Sequence, residues 1–235
     1  MRLGILPTGH IYPPGERAIR DLLRKRSTLV QQRTANILSI QNLEQRNHGV
    51  KISSNEVKQL TEERIGELYS NEDLGLALTT TMNVIAVLSE QIACLERAVL
   101  KKARLRKEFE PLRTVWGIGP ILGLTIMYEA GSMDRFKAPG NFASYSRCVD
   151  ATRLSNGKKK ADNNSKNGNR YLAWAFVEAA HFAIRYYPEA KSYYDRKTAK
   201  TNSIVAIKAI AHKLARAVFH VLREKKPFEP KRVFG

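Results

Sequence analysis

Apolar residues recur at helical spacing along most of this chain, and their period changes little from one stretch to the next. Between Glu16 and Asn47, Ile19, Leu23, Val30, Ile37 and Ile40 fall close to a seven-residue interval, with Leu22 and Leu29 widening the stripe. This predicts one long helix, punctuated by Pro14 and Gly15 at its start and Gly49 at its end. A second long helix is predicted over 74–108. Its marks are Leu74, Leu78, Ile85, Leu88, Ile92, Leu95 and Val99, with Thr81 as a tolerated seam position. Between them Val57, Leu60, Ile65 and Leu68 predict a shorter helix over 54–69, with Ser54 as its cap. The two long helices are natural antiparallel partners, and a dimer through the same seams fits the pattern equally well. Arg26 and Arg33 interrupt the first seam. Buried guanidiniums are costly unless paired, so these two either pair, leave the seam toward a phosphate, or run past a loose edge into water.

Past Pro111 the pattern shortens. PLRTVWGIGPILGLTIMYEAG reads as a tight turn at Gly117 and Gly119 followed by an apolar helix. Such a turn resembles a helix-hairpin-helix element, in which free backbone N–H groups grip a sugar-phosphate chain; a plain corner between helices is the alternative. A short helix carrying Phe142 and Tyr145 comes next, then a polar loop, then a helix from Asn169 to Tyr186 stopped by Pro188. Tyr193 and Tyr194 open an aromatic and basic turn. Ser203 to Leu222 forms the last helix, with Ile207, Ile210, Leu214, Val218 and Leu222 inward, and the tail from 227 reads as frayed. No convincing strand is visible. The predicted class is all-α: a long antiparallel coiled-coil arm followed by a compact helical domain.

Charge changes the picture. Forty Lys and Arg stand against 22 Asp and Glu, a net charge of +18 over 235 residues. Nucleic acid is the leading partner for that imbalance, ahead of an anionic membrane. The excess concentrates in the polar loop, where Arg153, Lys158, Lys159, Lys160, Lys166 and Arg170 face one acid, Asp162. Arg17, Arg20, Arg24, Lys25 and Arg26 load the start of the first long helix against its dipole. Cys94 and Cys148 read as core thiols in a reducing compartment. No apolar run reaches membrane-spanning length, and Pro7, Pro13 and Pro14 break the opening segment before a signal-peptide core can form.

The acids do not gather as a metal-dependent nuclease requires. Glu129 and Glu178 stand on apolar helices and read as packing or Arg-pairing residues; the five histidines lack metal-ligand spacing. A serine that attacks phosphodiesters needs an exposed hydroxyl among cations. Ser155 meets that description, with Asn156 and Gly157 able to turn the chain beside it; Ser165 is the rival within the same loop.

Three ordered segments carry a family resemblance. VWGIGPILGLTIMYEAGSMDRFKAPGNFASYSRCV, LSNGKKK…NSKNGNRYLAWAFVEAA and AIKAIAHKLARAVFHVL resemble the carboxy-terminal domain of DEDD-type transposases of bacterial insertion sequences, relatives of the Piv DNA invertases. LPTGHIYPPGERAIRDLLRKRSTLVQQRTANILSIQNL resembles that family's linker and coiled-coil entry. The resemblance implies a bridge-RNA-guided recombinase in which Ser155 is the nucleophile. It further implies an amino-terminal RuvC-like domain whose four carboxylates hold Mg2+. Those acids have no counterpart here, so no cofactor or metal is expected within these residues, and the chain is expected to be inactive alone. The implied organisation is a linker remnant over 1–15, a coiled-coil arm over 16–110, a transposase domain over 111–226 and a flexible tail over 227–235. The expected nucleic-acid contacts are Gly117, Gly119, Arg153, Lys158, Lys159, Lys160, Lys166 and Arg170. Implied partners are DNA, a structured guide RNA and further copies of the chain, in the bacterial cytoplasm near the nucleoid and away from membranes. A non-catalytic nucleic-acid-binding or assembly module is the alternative.

Overall fold

The computed structural model describes residues 10–103, 106–149, 152–156, 158–162 and 167–234. The class is all-α, as the periodicity predicts, with one small hairpin added. The chain divides into two compact units: residues 21–99, and residues 1–20 with 100–235.

The unit over 21–99 is built on the long helices α1 (Pro14–His48) and α4 (Glu72–Ala103). Leu78, Ile85, Ile92 and Val99 are all buried at a strict seven-residue interval, and Leu23, Ile37 and Ile40 answer them on α1. The pairing runs antiparallel. Arg26 meets Glu96 at 2.7 Å, and seven residues further along α1, Arg33 donates to Ser89, seven residues back along α4, at 3.3 Å. Each of the two seam arginines therefore has a partner across the helices, which offsets part of the cost of placing it there.

At the far end of this pair the predicted helix over 54–69 is two short ones, α2 (Ser54–Gln59) and α3 (Glu62–Leu68). Thr61 breaks the stretch by capping the second, accepting from the Arg64 N–H. The first is capped by Ser53, not Ser54, in a reciprocal capping box with Glu56. The break lets Val57 and Ile65 both pack onto Ile37, Ile40, Leu78 and Ile85. Beside that cluster the Tyr69 hydroxyl donates to buried Glu44 at 2.6 Å, and His48 lies 3.0 Å from the other carboxylate oxygen.

One expectation about α4 is corrected. By length and composition alone, residues 72–102 are long and apolar enough to cross a membrane. Ala77, Thr79, Thr80 and Thr81 dilute the apolar residues without adding charge, so no uninterrupted run is visible.

The other unit holds α5 (Phe109–Arg113), α6 (Pro120–Ala130), a 3-10 turn (Met133–Arg135) and α7 (Pro139–Tyr145), then the hairpin. After it come α8 (Arg170–Tyr186), α9 (Pro188–Lys200), α10 (Ser203–Glu224) and α11 (Lys231–Phe234). Helix α10 packs against α7, α8 and α9, and α6 packs on α8. Alanines make close packing possible: Ala175, Ala179, Ala180 and Ala183 on α8, and Ala206, Ala211 and Ala215 on α10, are buried. Phe142, Phe176, Leu124, Leu172, Ile210 and Leu214 fill the space between.

Two readings change here. The aromatic, basic stretch after Pro188 is helix α9, because Pro188 stops α8 and also occupies the first turn of the next helix, where its missing N–H costs nothing. The tail, expected to be frayed, folds back over 227–234. The Phe228 N–H donates to Thr114 at 2.7 Å, Phe234 is buried, and Trp116 stacks on Tyr187 and Phe234 with centroids 4.6 and 5.3 Å away. Helical periodicity could not reveal this, since the tail is held by two aromatic rings separated by a proline.

Candidate nucleic-acid interface

The polar loop contains a β-hairpin. Strands β1 (Thr152–Ser155) and β2 (Lys158–Asp162) pair antiparallel. Ser155 lies opposite Lys158 at the closing pair, Leu154 opposite Lys159, and Arg153 opposite Ala161, so Lys160 is the extra residue of a bulge. Asn156 takes a left-handed conformation, φ 54°, next to the turn. An Asn-Gly pair is the strongest short-range hairpin signal, and LSNGKKK carries it. The flanking residues lack apolar alternation, which hides the strands from a periodicity search.

The ends of this segment are tied together. The Asn169 N–H donates to the Tyr145 carbonyl at 2.7 Å, and Arg147 donates to the Gly168 carbonyl at 3.1 Å. Gly168 has φ +84°, and a Cβ there would lie 2.5 Å from the Tyr145 oxygen, so only glycine fits. Asn169 then caps α8, its side-chain oxygen accepting from the Tyr171 and Leu172 N–H groups at 2.8 and 3.1 Å. Its amide donates to fully buried Glu129 at 2.6 Å. Glu129 is thus part of the helix packing, with an Asn partner where an Arg was one expectation.

Above this anchor sits a cluster that sequence reasoning missed. The Tyr12 hydroxyl donates to the Glu129 carbonyl at 2.6 Å and accepts from Arg135 at 3.1 Å. The Arg135 guanidinium lies 4.6 Å from the Tyr145 ring centroid and 4.8 Å from that of Phe136. Burial pushes the Tyr145 phenol up, but hydrogen bonding with Tyr12, Asn169 and Arg135 outweighs it and leaves the pKa below the usual tyrosine value. Burial, aided by the same bond to Tyr145, raises Tyr12. These residues are 133 positions apart at the extremes, and no local pattern links them.

The expected contact residues divide. Lys158 is exposed in β2, and Arg170 is exposed in the first turn of α8, stacked 4.9 Å from the Tyr171 ring and donating to its hydroxyl at 2.9 Å. A cation there opposes the helix dipole, so helix stability does not explain it. Arg153, Ser155, Lys159 and Lys160 are placed by their strand positions. Lys166, like Gly157 and Ser165, lies outside the described residues.

Gly117 has a structural explanation. Its φ is +78°, and a Cβ would collide with the Ala179 carbonyl oxygen. The turn is thus pressed against the backbone of α8. Gly119 is different: it is exposed, nothing lies within 4 Å of its Cβ position, and it begins α6 without a side-chain cap.

Several carboxylates are engaged elsewhere. Glu16 accepts from Arg106 at 2.8 Å, Glu108 lies 3.4 Å from Lys225, and Glu224 pairs with His220 at 3.1 Å. Among the described residues no three His, Cys, Asp or Glu side chains gather as a metal site. Burial pushes the Cys148 thiol up to about 12, which keeps it protonated and unreactive at neutral pH.

All of the expected catalytic and contact residues fall between 117 and 170, and sequence comparison covers that span. Residues 110–195 match the profile of the transposase family IS116/IS110/IS902. The family segment therefore runs from α5 into α9 and includes the hairpin, both of its anchored ends and the Asn169 cap. An insertion element IS116 protein of Streptomyces clavuligerus, described as an uncharacterized 44.8 kDa protein, is 24% identical over 147 residues. That similarity spans 62% of this chain and 37% of the relative's length.

Proposed function

We propose that this chain is the nucleic-acid-binding, nucleophile-bearing portion of an insertion-element transposase. The observation that carries this reading is the family segment over 110–195, which encloses a cation-rich hairpin between flanks that are tied to each other at Arg147 and Gly168 and to the core at Asn169. A hairpin charged along its strands suits a phosphate backbone, whose binding energy comes mainly from released counterions.

In this reading Ser155, beside the turn and opposite Lys158, attacks a phosphodiester. Its Oγ loses a proton to a base, forms the Oγ–P bond, and the displaced sugar oxygen takes up a proton. The number of phosphodiester-type bonds is conserved, so strand exchange can follow without an external energy source. Lys158, Lys159, Lys160 and Arg170 supply positive charge for the crowded phosphorane. The described carboxylates do not gather as a site for a metal pair. The reading assigns Mg2+ and its carboxylates to a part of the enzyme beyond these 235 residues, and target selection to a structured guide RNA. Copies of the chain would associate through the long helices, in the cytoplasm where the element resides.

Two measurements test it. Duplex binding should weaken with salt at a log–log slope of about −0.9 per phosphate contacted, and changing Lys158, Lys159 and Lys160 to Ala should make that slope shallower. With the carboxylate-bearing portion, guide RNA and donor DNA supplied, a covalent protein–DNA adduct should appear on a denaturing gel. Ser155→Ala should bind but form no adduct. An adduct from Ser155→Ala, or no binding at low salt, overturns the reading.

A further inference from the structure

A cavity of about 370 Å3 lies between α10 and the folded-back tail, outside the family segment. Its size is at the lower end of the range for small-molecule sites. Its floor is apolar, from Ala217 and Val221, and Phe228 and Pro227 form a wall. Its rim is cationic: Lys213, Arg216, Lys226 and Arg232 stand against two carboxylates, Glu224 and Glu229, a net formal charge of +2.

The two acids are already engaged, Glu224 with His220 at 3.1 Å and Glu229 with Arg232 at 2.8 Å. Arg216 and Lys226 have no carboxylate within ion-pair distance among the described residues. Lys213 is held inward. Its Nζ donates to the Val233 carbonyl at 2.6 Å and lies 4.8 Å from the Tyr193 ring centroid. Burial, and then the repulsion of the neighbouring Arg216, depress its pKa. An anion between these groups relieves that repulsion.

We propose that this cavity binds a single unpaired nucleotide of a nucleic-acid strand, its phosphate at Arg216, Lys226 and Lys213 and its base against the apolar floor beside Phe228. The combination selects the class of ligand. A bare phosphate would leave the apolar floor and the Phe228 wall uncovered. A base pair is too large for the volume. An acidic peptide would match the charge but not the apolar floor and the Phe228 wall. The inference rests on the nucleic-acid reading above and adds to it a second contact point for single strands, distinct from the hairpin.

The test uses the full chain and a labelled 20-nucleotide single strand, beside a blunt duplex of the same length. The variant is Arg216→Ala with Lys226→Ala, both exposed positions whose loss leaves the core intact. Single-strand affinity should fall about tenfold and the salt slope should shrink by about 0.7, the share of the one phosphate contacted. Duplex affinity should change less than twofold. A single strand carrying 5-bromodeoxyuridine should crosslink, under ultraviolet light, to the peptide containing Phe228. The Lys158, Lys159, Lys160 triple variant should keep that crosslink. Unchanged single-strand affinity and slope in the double variant, or crosslinks confined to the hairpin, overturn the cavity assignment and leave the general reading standing. A wild-type chain that binds neither nucleic acid at low salt overturns both. Binding of a poly-Glu peptide that the double variant abolishes, with no effect on the single strand, reassigns the cavity to acidic peptides and refutes the nucleotide.

Discussion

At Asn169 one side chain caps α8 and also donates to a fully buried carboxylate, so its loss exposes two separate deficits. Asn169→Ala should cost about 2–4 kcal/mol, the cap contributing about 1 and the lost donor to Glu129 the rest. Asn169→Ser restores the cap alone and should recover about 1 kcal/mol of it; urea unfolding of both variants checks the split. Equal stability of the Ala and Ser forms would show that the cap contributes nothing. At this scale the sequence was uneven. Residue types with strong local habits were legible: Asn169 before an apolar helix and Pro188 as a stop. The Tyr12, Arg135 and Tyr145 cluster was not, because its partners meet only after the chain has folded and none follows a local rule.

Gly117 shows how an element can be placed correctly while a structural reason for its glycine stays hidden. The turn between α5 and α6 lies where Gly117 and Gly119 predict it, and its glycines suggest a phosphate grip. For Gly117 the structure supplies a nearer cause, contact with the α8 backbone at Ala179. Gly117→Ala combines an unfavourable φ with an impossible contact and should destabilise the protein by more than about 3 kcal/mol, read as a lowered denaturation midpoint. Gly119→Ala, open on all sides, should cost less than about 1 kcal/mol. A mild effect at Gly117 would mean that the turn can lift off α8. The long helices were legible because their heptads repeat over several turns. The hairpin was missed because two strands of four and five residues carry too little alternation to register.

For the molecule as a whole, charge and exposed apolar surface set its behaviour in solution. His212 is pushed below its usual pKa by burial and then by Arg216 and Lys213. The unfolded chain therefore binds a proton near pH 6.5 that the folded chain resists. The associated stability is present above pH 6.5 and is lost as pH falls below it. Urea midpoints at pH 7.5 and 5.5 should show a drop, and His212→Gln should reduce that drop; an equal drop in the variant places the effect elsewhere. On the arm, α4 carries exposed Leu76, Val84 and Val87, at 68%, 43% and 58% of their full exposure. If copies associate through the long helices, this is the face left for it, since Ile92 and its heptad mates are already covered within one chain. Light scattering should show mass rising with concentration, and Val84→Lys with Val87→Lys should abolish the rise while far-ultraviolet dichroism stays unchanged. A monomeric wild-type chain at tens of micromolar contradicts association.

The pairing of Arg26 with Glu96 and of Arg33 with Ser89 makes the arm a ruler with fixed graduations. Each step is seven residues, about 10 Å of helix. A single inserted residue in α4 would turn every later side chain by about 100° and carry the seam off its partner. Length can therefore change only in matched strides, seven residues gained on α1 for seven on α4. Relatives with longer or shorter arms should differ by whole heptads on both helices, and never on one alone.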